Sequence, residues 1–177
     1  GTRWADHESA LRPRLKNVWI MGKMTIDATD RKILGLLIRN ARMPFLEIAR
    51  ECGISGAAIH QRVKKMEESG VIRGFRLEVD PRALGYNVSA MIGIRINDPM
   101  KNIEIIEGLR KIPEVVECQF ITGKYNIWTK VYCVDHEHLM HTILDDILRV
   151  PGISETETFI SLSDSFGRQV YVREADE

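Results

Sequence analysis

The 177-residue chain has no run of about 18 apolar residues, and its first 23 positions are broken up by Arg3, Asp6, Glu8, Arg12, Arg14 and Lys16. Neither a membrane-spanning helix nor a signal-peptide core fits such a pattern, so the protein is expected to act in the cytoplasm. Cysteine is scarce. Cys52, Cys118 and Cys133 are odd in number and lack metal-type spacing, which argues against a disulfide framework and a zinc site and predicts reduced thiols in apolar surroundings. No glycine-rich phosphate loop and no Ser, His and Asp set stands out, so an enzyme is not expected. His138 and His141 share a helix face at i, i+3, but no cysteine or carboxylate at standard spacing completes a metal site; no metal or other cofactor is expected.

Net charge is also lacking, with 25 basic and 25 acidic residues, but the zero hides a division. Residues 1–23 carry five basic and two acidic groups, residues 24–80 ten and eight, and residues 81–177 ten and fifteen. The acidic second half cannot favour phosphate. The first half can, although its excess alone does not identify a nucleic-acid binder.

Asp27 is a good N-cap for a helix over 28–40, with Ile26 as a staple against Ile33, Leu34 and Leu37. Pro44 opens a second helix to Glu51 that is expected to bury Leu46, Ile48 and Ala49 and to end at Gly53. Ser55 caps a third, on which Ile59, Val63 and Met66 form the inward stripe, and Gly70 ends it. Two helices joined by Cys52-Gly53-Ile54 make a helix-turn-helix. Residues 71–80 then alternate apolar and polar, which reads as a strand or wing, and Pro81 and Gly85 mark a hinge.

From Asn87 the pattern changes. Strands are expected at 88–96, 115–121, 127–134 and 153–162. Helices are expected at 101–112, with Ile103, Ile106 and Leu109 inward, and at 137–150, with Leu139, Met140, Ile143, Leu144 and Ile147 inward. Both helices end in similar words, Ile112-Pro113-Glu114-Val115 and Val150-Pro151-Gly152-Ile153, because proline forbids further helix. The fold class is α+β, a winged helix-turn-helix followed by a ferredoxin-like βαββαβ domain. A four-stranded sheet with helices on one face leaves the other open, so burial against a second copy is expected, giving at least a dimer.

Opposite the inward stripe of the third helix lie Ala57, His60, Gln61, Lys64 and Lys65, uninterrupted by acid until Glu67. Such a face fits a major groove: Ala57 near a thymine methyl, Gln61 on an adenine, and Lys64 and Lys65 on phosphates. The plain alternative is a solvated face. Arg62, at the flank of the apolar stripe, has two open roles, a phosphate contact or a pair with an acid on the preceding helix. In the second domain the tight link 120–127 contains Gly123 and Asn126, which suit positive φ, and its exposed amides beside Thr122 and Tyr125 could receive a small ligand; an ordinary hairpin turn is the alternative.

Taken together these runs resemble the Lrp/AsnC family of prokaryotic regulators, the feast/famine regulatory proteins. The marks are Ile26-Asp27-Ala28-Thr29-Asp30-Arg31-Lys32-Ile33-Leu34, Asn40-Ala41-Arg42, Glu47-Ile48-Ala49 and Gly53-Ile54-Ser55. They continue with Arg62-Val63-Lys64-Lys65-Met66-Glu67, Gly70-Val71-Ile72-Arg73-Gly74-Phe75 and Leu84-Gly85. In the second domain they are Pro113-Glu114-Val115-Val116-Glu117-Cys118, Thr122-Gly123-Lys124-Tyr125 and Pro151-Gly152-Ile153. The resemblance covers 26–162 and implies a cytoplasmic transcription regulator that reads promoter DNA as a dimer, tetramer or octamer. It divides the chain into an extension (1–23), a DNA-binding domain (24–74), a strand and hinge (75–86), an oligomerisation and effector domain (87–163) and a tail (164–177). The implied DNA-facing residues are Ser55, Ala57, His60, Gln61, Arg62, Lys64 and Lys65. The implied effector residues, for an amino acid held between dimers, are Thr122, Gly123, Lys124, Tyr125, Asn126 and Thr158. Asn126 stands where the family usually has aspartate, which removes a partner for a ligand's ammonium group. The competing reading is a small-molecule-sensing or assembly module whose helical domain contacts protein.

Overall fold

The computed structural model describes residues 25–173; the expected N-terminal extension and the start of the DNA-binding domain at Met24 lie outside them. The described chain divides into two compact units, one taking the residues through Leu77 and those from Gly167 onward, the other spanning Glu78–Phe166.

The first unit is helical: α1 (Ala28–Arg39), α2 (Phe45–Cys52) and α3 (Gly56–Glu68). Asp27 caps α1 through a reciprocal capping box, in which the Asp30 N–H donates to Asp27 Oδ1 at 2.8 Å and the Asp27 N–H donates to Asp30 Oδ2 at 3.2 Å. Gly53 closes α2 at φ 67°, letting the Ile54 N–H reach the Ala49 carbonyl at 3.1 Å. Ile33, Leu36, Leu37, Ile48, Ala49, Ile59, Val63 and Met66 form one buried cluster. Leu46 departs from expectation: it stands at the start of α2 and is 63% exposed, while Ile48 and Ala49 carry that helix's burial.

Residues 71–80, expected as a strand or wing, form no strand among the described residues: Val71 and Ile72 pack on the helical core, and 73–80 are all exposed. Alternation there is real, but a strand needs a neighbour to complete its ladder. The hinge is a 3₁₀ turn at Pro81–Leu84, closed by Gly85 at φ 89°.

The second unit contains β1 (Val88–Ile96), α4 (Asn102–Leu109), β2 (Val115–Phe120), β3 (Ile127–Cys133), α5 (His136–His141) and β4 (Ile153–Ile160). Helix α5 continues as a π-helical turn over Thr142–Ile147. The sheet is antiparallel in the order β2-β3-β1-β4. One sheet face carries Val88, Ala90, Ile92, Ile94, Ile127, Val131 and Cys133 into a core with Ile105, Leu109, Leu139 and Ile147. Leu109, Leu139 and Ile147 are buried as expected, and Ile106 and Ile143 pack half-buried on the same core; Ile105 joins them in place of Ile103, and Met140 and Leu144 depart, at 49% and 54% exposure. In the π turn Thr142 is buried alongside Ile147. Burial pushes all three thiols, Cys52, Cys118 and Cys133, above the usual cysteine value, which suppresses thiolate chemistry. Among the described residues, no helix is long and apolar enough to cross a membrane.

Candidate functional site

Helix α3 is held at its N-terminus and along one flank. Ser55 Oγ accepts the Ala58 N–H at 3.2 Å, so this hydroxyl serves as the cap. Arg62 Nη1 reaches Asp27 Oδ2 at 2.7 Å and Asp30 Oδ1 at 2.8 Å. The first carboxylate is half exposed and the second is nearly inaccessible. Of the two roles open to Arg62, the geometry assigns the ion pair, although its acids belong to α1 and its cap rather than to the immediately preceding helix; the pair ties α3 to the N-terminus of α1. The backbone bond from Asp30 and then the guanidinium hold the Asp27 carboxyl below its usual value, and both carboxylates raise the Arg62 value in return.

With Ile59, Val63 and Met66 inward, Ala57, His60, Gln61, Lys64 and Lys65 are exposed along the outside of the helix. Lys64 makes a loose, solvent-exposed pair with Glu68 at 3.9 Å, too weak to remove it from other partners. The His60 ring stands on Phe45 of α2, with centroids 4.6 Å apart and planes at 71°. A shallow groove beside this pair is lined by Phe45, His60, Gln61, Val63, Lys64 and Glu67. Phe45 was not among the residues expected here; an aromatic at the start of the helix preceding the turn is the signal that points to it.

The second candidate is the turn between β2 and β3. Gly123 has φ 120°, whereas Asn126 keeps a negative φ, contrary to its expected role as a left-handed residue. Asn126 is occupied otherwise. Its backbone N–H donates to the Ile94 carbonyl at 2.9 Å and its Oδ1 accepts the Ile96 N–H at 3.1 Å, beside the register shift between Arg95 and Ile96. Its acceptor thus secures the end of β1 opposite the point where Ser154 bulges from β4, leaving the NH₂ for other partners.

Tyr125 lies over Gly93 in the middle of β1. A Cβ on Gly93 would come within 2.6 Å of the Tyr125 ring, so glycine is what permits this approach. Trp128 completes an aromatic group with Tyr125 at 6.0 Å and Phe159 at 5.5 Å between centroids. The Tyr125 hydroxyl is buried and has no hydrogen-bond partner among the described residues. Gly93 pairs with Trp128 on one side and Glu157 on the other, and Lys124 forms an ion pair with Glu157. Thr158 pairs instead with buried Ile92, so the register turns it toward the helix-covered side of the sheet; Glu157 is the β4 residue that meets the turn. A one-residue difference reverses the face in a strand, so Glu157 and Thr158 lie on opposite faces of the sheet. Thr122, Gly123 and Lys124 are exposed.

The histidines of α5 have protein partners. The Val134 N–H donates to His138 Nδ1 at 3.2 Å, which leaves Nε2–H to donate to Glu114 Oε1 at 3.2 Å. His141 Nδ1 lies 2.9 Å from Asp145 Oδ2, a bond that raises the His141 value. No group of three metal-ligating side chains occurs among the described residues.

A three-helix unit with an exposed second helix of the turn, followed by an antiparallel sheet with helices on one side, defines a regulator that couples a helix-turn-helix to a ligand-binding domain. The chain matches the winged helix-turn-helix DNA-binding family over residues 26–73 and the Lrp/AsnC ligand-binding domain over 89–170. It is 37% identical over 150 residues to the regulatory protein AsnC of Escherichia coli K12, covering 85% of this chain and 99% of that protein. It is 36% identical over 140 residues to the transcriptional regulator FL11 of Pyrococcus horikoshii, covering 79% and 91%. The solved structure of E. coli AsnC superposes with a TM-score of 0.76 over 84% of this chain and 99% of that one, at 36% identity. A feast or famine regulatory protein of M. tuberculosis solved with L-methionine superposes at 0.77, with 25% identity over 84% of this chain and all of that one. The chain belongs to the Lrp/AsnC family of transcription regulators.

Proposed function

We propose that this regulator binds double-stranded promoter DNA sequence-specifically in the cytoplasm, as a dimer or higher oligomer, and that an amino acid or related small molecule modulates it. The observation that carries the DNA reading is the exposed stripe Ala57, His60, Gln61, Lys64 and Lys65 on a helix whose apolar face and capped N-terminus fix its direction. Ala57 and Gln61 meet base edges and Lys64 and Lys65 meet phosphates, while Ser55 and Arg62 support the helix. Each phosphate neutralised contributes a salt slope of about 0.9 in log–log terms. Lys64→Ala therefore weakens all DNA alike, and Gln61→Ala relaxes one base preference. Binding of the helical unit that ignores salt would favour a protein partner instead.

The turn supports the effector reading. Lys124 and Glu157 present both charge signs beside the ring of Tyr125, whose hydroxyl is unpartnered, and the neighbouring Asn126 keeps its NH₂ for a partner, a match for a zwitterion. Glu157 supplies the carboxylate that Asn126 lacks; Thr122 and Gly123 border the same turn, with Thr158 on the strand beneath. The L-methionine bound by the M. tuberculosis relative supports this ligand class. Titration calorimetry with single amino acids tests it: Glu157→Gln abolishes the heat of whichever one binds. Self-association through the uncovered sheet face buries Trp128 and 42%-exposed Phe159, and light scattering at the monomer mass alone would refute it.

A further inference from the structure

We propose that His60 reads a purine base and that Phe45 is its positioning residue, so that a side chain on α2 sets a base preference expressed by α3. The inference rests on the DNA-binding reading above. His60 is exposed between Ala57 and Lys64 on the outward stripe, and neither of its ring nitrogens has a hydrogen-bond partner among the described residues. The imidazole is nonetheless biased toward one orientation, because it meets the Phe45 ring edge-to-face at 4.6 Å and 71°. Phe45 is itself half-buried and packs on the cluster of Ile33, Ile48 and Ile59, so the anchor belongs to the domain's core. Core packing therefore sets Phe45, and Phe45 biases the His60 ring.

A histidine N–H is a single directional donor, and in the major groove both purines present N7 as an acceptor, with O6 beside it in guanine. Gln61 follows His60 and Lys64 stands one turn further on, and both line the same groove, so the ring stands beside a base-reading amide and a phosphate-binding ammonium. Immobilising an unrestrained side chain on binding weakens an interface about two- to ten-fold. A ring already biased avoids part of that loss, and it does so only for the base that meets its N–H.

The test is selection of the full-length protein against a library of randomised DNA duplexes, with sequencing of the bound fraction. Wild type, His60→Ala, Phe45→Leu, Phe45→Tyr and the Phe45→Leu/His60→Ala double variant are compared. His60→Ala, at an exposed position, is expected to lower the purine preference about ten-fold at one position of each half-site and leave the others intact. Phe45→Leu lowers the same position by a smaller factor, Phe45→Tyr restores it, and the double variant is no worse there than His60→Ala. An unchanged preference in His60→Ala overturns the proposal while the DNA reading stands. Additive losses, or loss at a different position in Phe45→Leu, overturn the positioning role. A wild-type protein that selects no sequence overturns the DNA reading and the proposal with it.

Discussion

Replacing Arg62 by alanine leaves Asp30 as a nearly inaccessible carboxylate, 4% exposed, without its cation. Removing one partner of a buried ion pair costs about 3–5 kcal/mol, but Arg62 is itself 35% exposed and Asp27 lies half in water, so solvent screening reduces the figure. The Asp27 N–H, which donates to Asp30 at 3.2 Å, still solvates the carboxylate after the substitution. A loss of roughly 2 kcal/mol remains, equivalent to about 10 °C in the melting of a unit this small. Circular dichroism at the helical minimum follows that unit during thermal and urea unfolding. Arg62→Ala/Asp30→Asn should recover part of the loss, because asparagine keeps the capping acceptor and removes the buried charge. In DNA titrations Arg62→Ala should leave the salt slope of the remaining folded protein unchanged. Stability within about 0.5 kcal/mol of wild type, or a slope lowered by about 0.9, would refute the assignment of Arg62 to the helix clamp.

The same clamp makes a pH prediction. Because the folded Asp27 value is depressed, its contribution is complete above the ordinary value of 3.8 and is lost as pH falls below it. Acid unfolding of wild type should thus be steeper below pH 3.8 than that of Arg62→Ala. His141, raised by Asp145, should titrate above 6.5 in proton NMR, and Asp145→Asn should bring it back. Gly93→Ala forces a methyl into the Tyr125 ring and should destabilise the second unit by about 1–3 kcal/mol, shown by a lower denaturant midpoint. Asn126→Ala orphans the Ile96 N–H and should cost about 1 kcal/mol, whereas Asn126→Asp keeps the acceptor and should be nearly neutral in the same assay.

Where a local rule has a local cause, reading the chain alone placed it: Asp27 and Ser55 as caps, Gly53 as the turn, and Ile59, Val63 and Met66 as one helical face. Pairings across the fold were harder. The alternation of Phe75, Leu77 and Val79 is genuine, yet no ladder forms because no partner strand lies beside it among the described residues. Thr158 and Glu157 differ by one position, and only the register against Ile92 and Gly93 decides which faces Tyr125. Arg62 had two roles open until the structure brought Asp27 and Asp30 to its guanidinium. In α5, Leu139 and Ile147 are buried where the period puts them, whereas Met140 and Leu144 are not, because the π turn departs from the 3.6-residue period. Phe45 and Gly93 carry signals visible in hindsight, an aromatic at a helix start and a glycine inside a strand, but what each touches depends on another element.

Fluorescence anisotropy of the full-length protein against its own upstream promoter DNA and a scrambled duplex, at several salt concentrations and with or without an amino-acid pool, tests the central claim most directly. The account predicts tight, promoter-selective binding that weakens with salt by about 0.9 per phosphate contact, together with a shift when the amino acids are added. Equal affinity for both duplexes, or none for either, would contradict it.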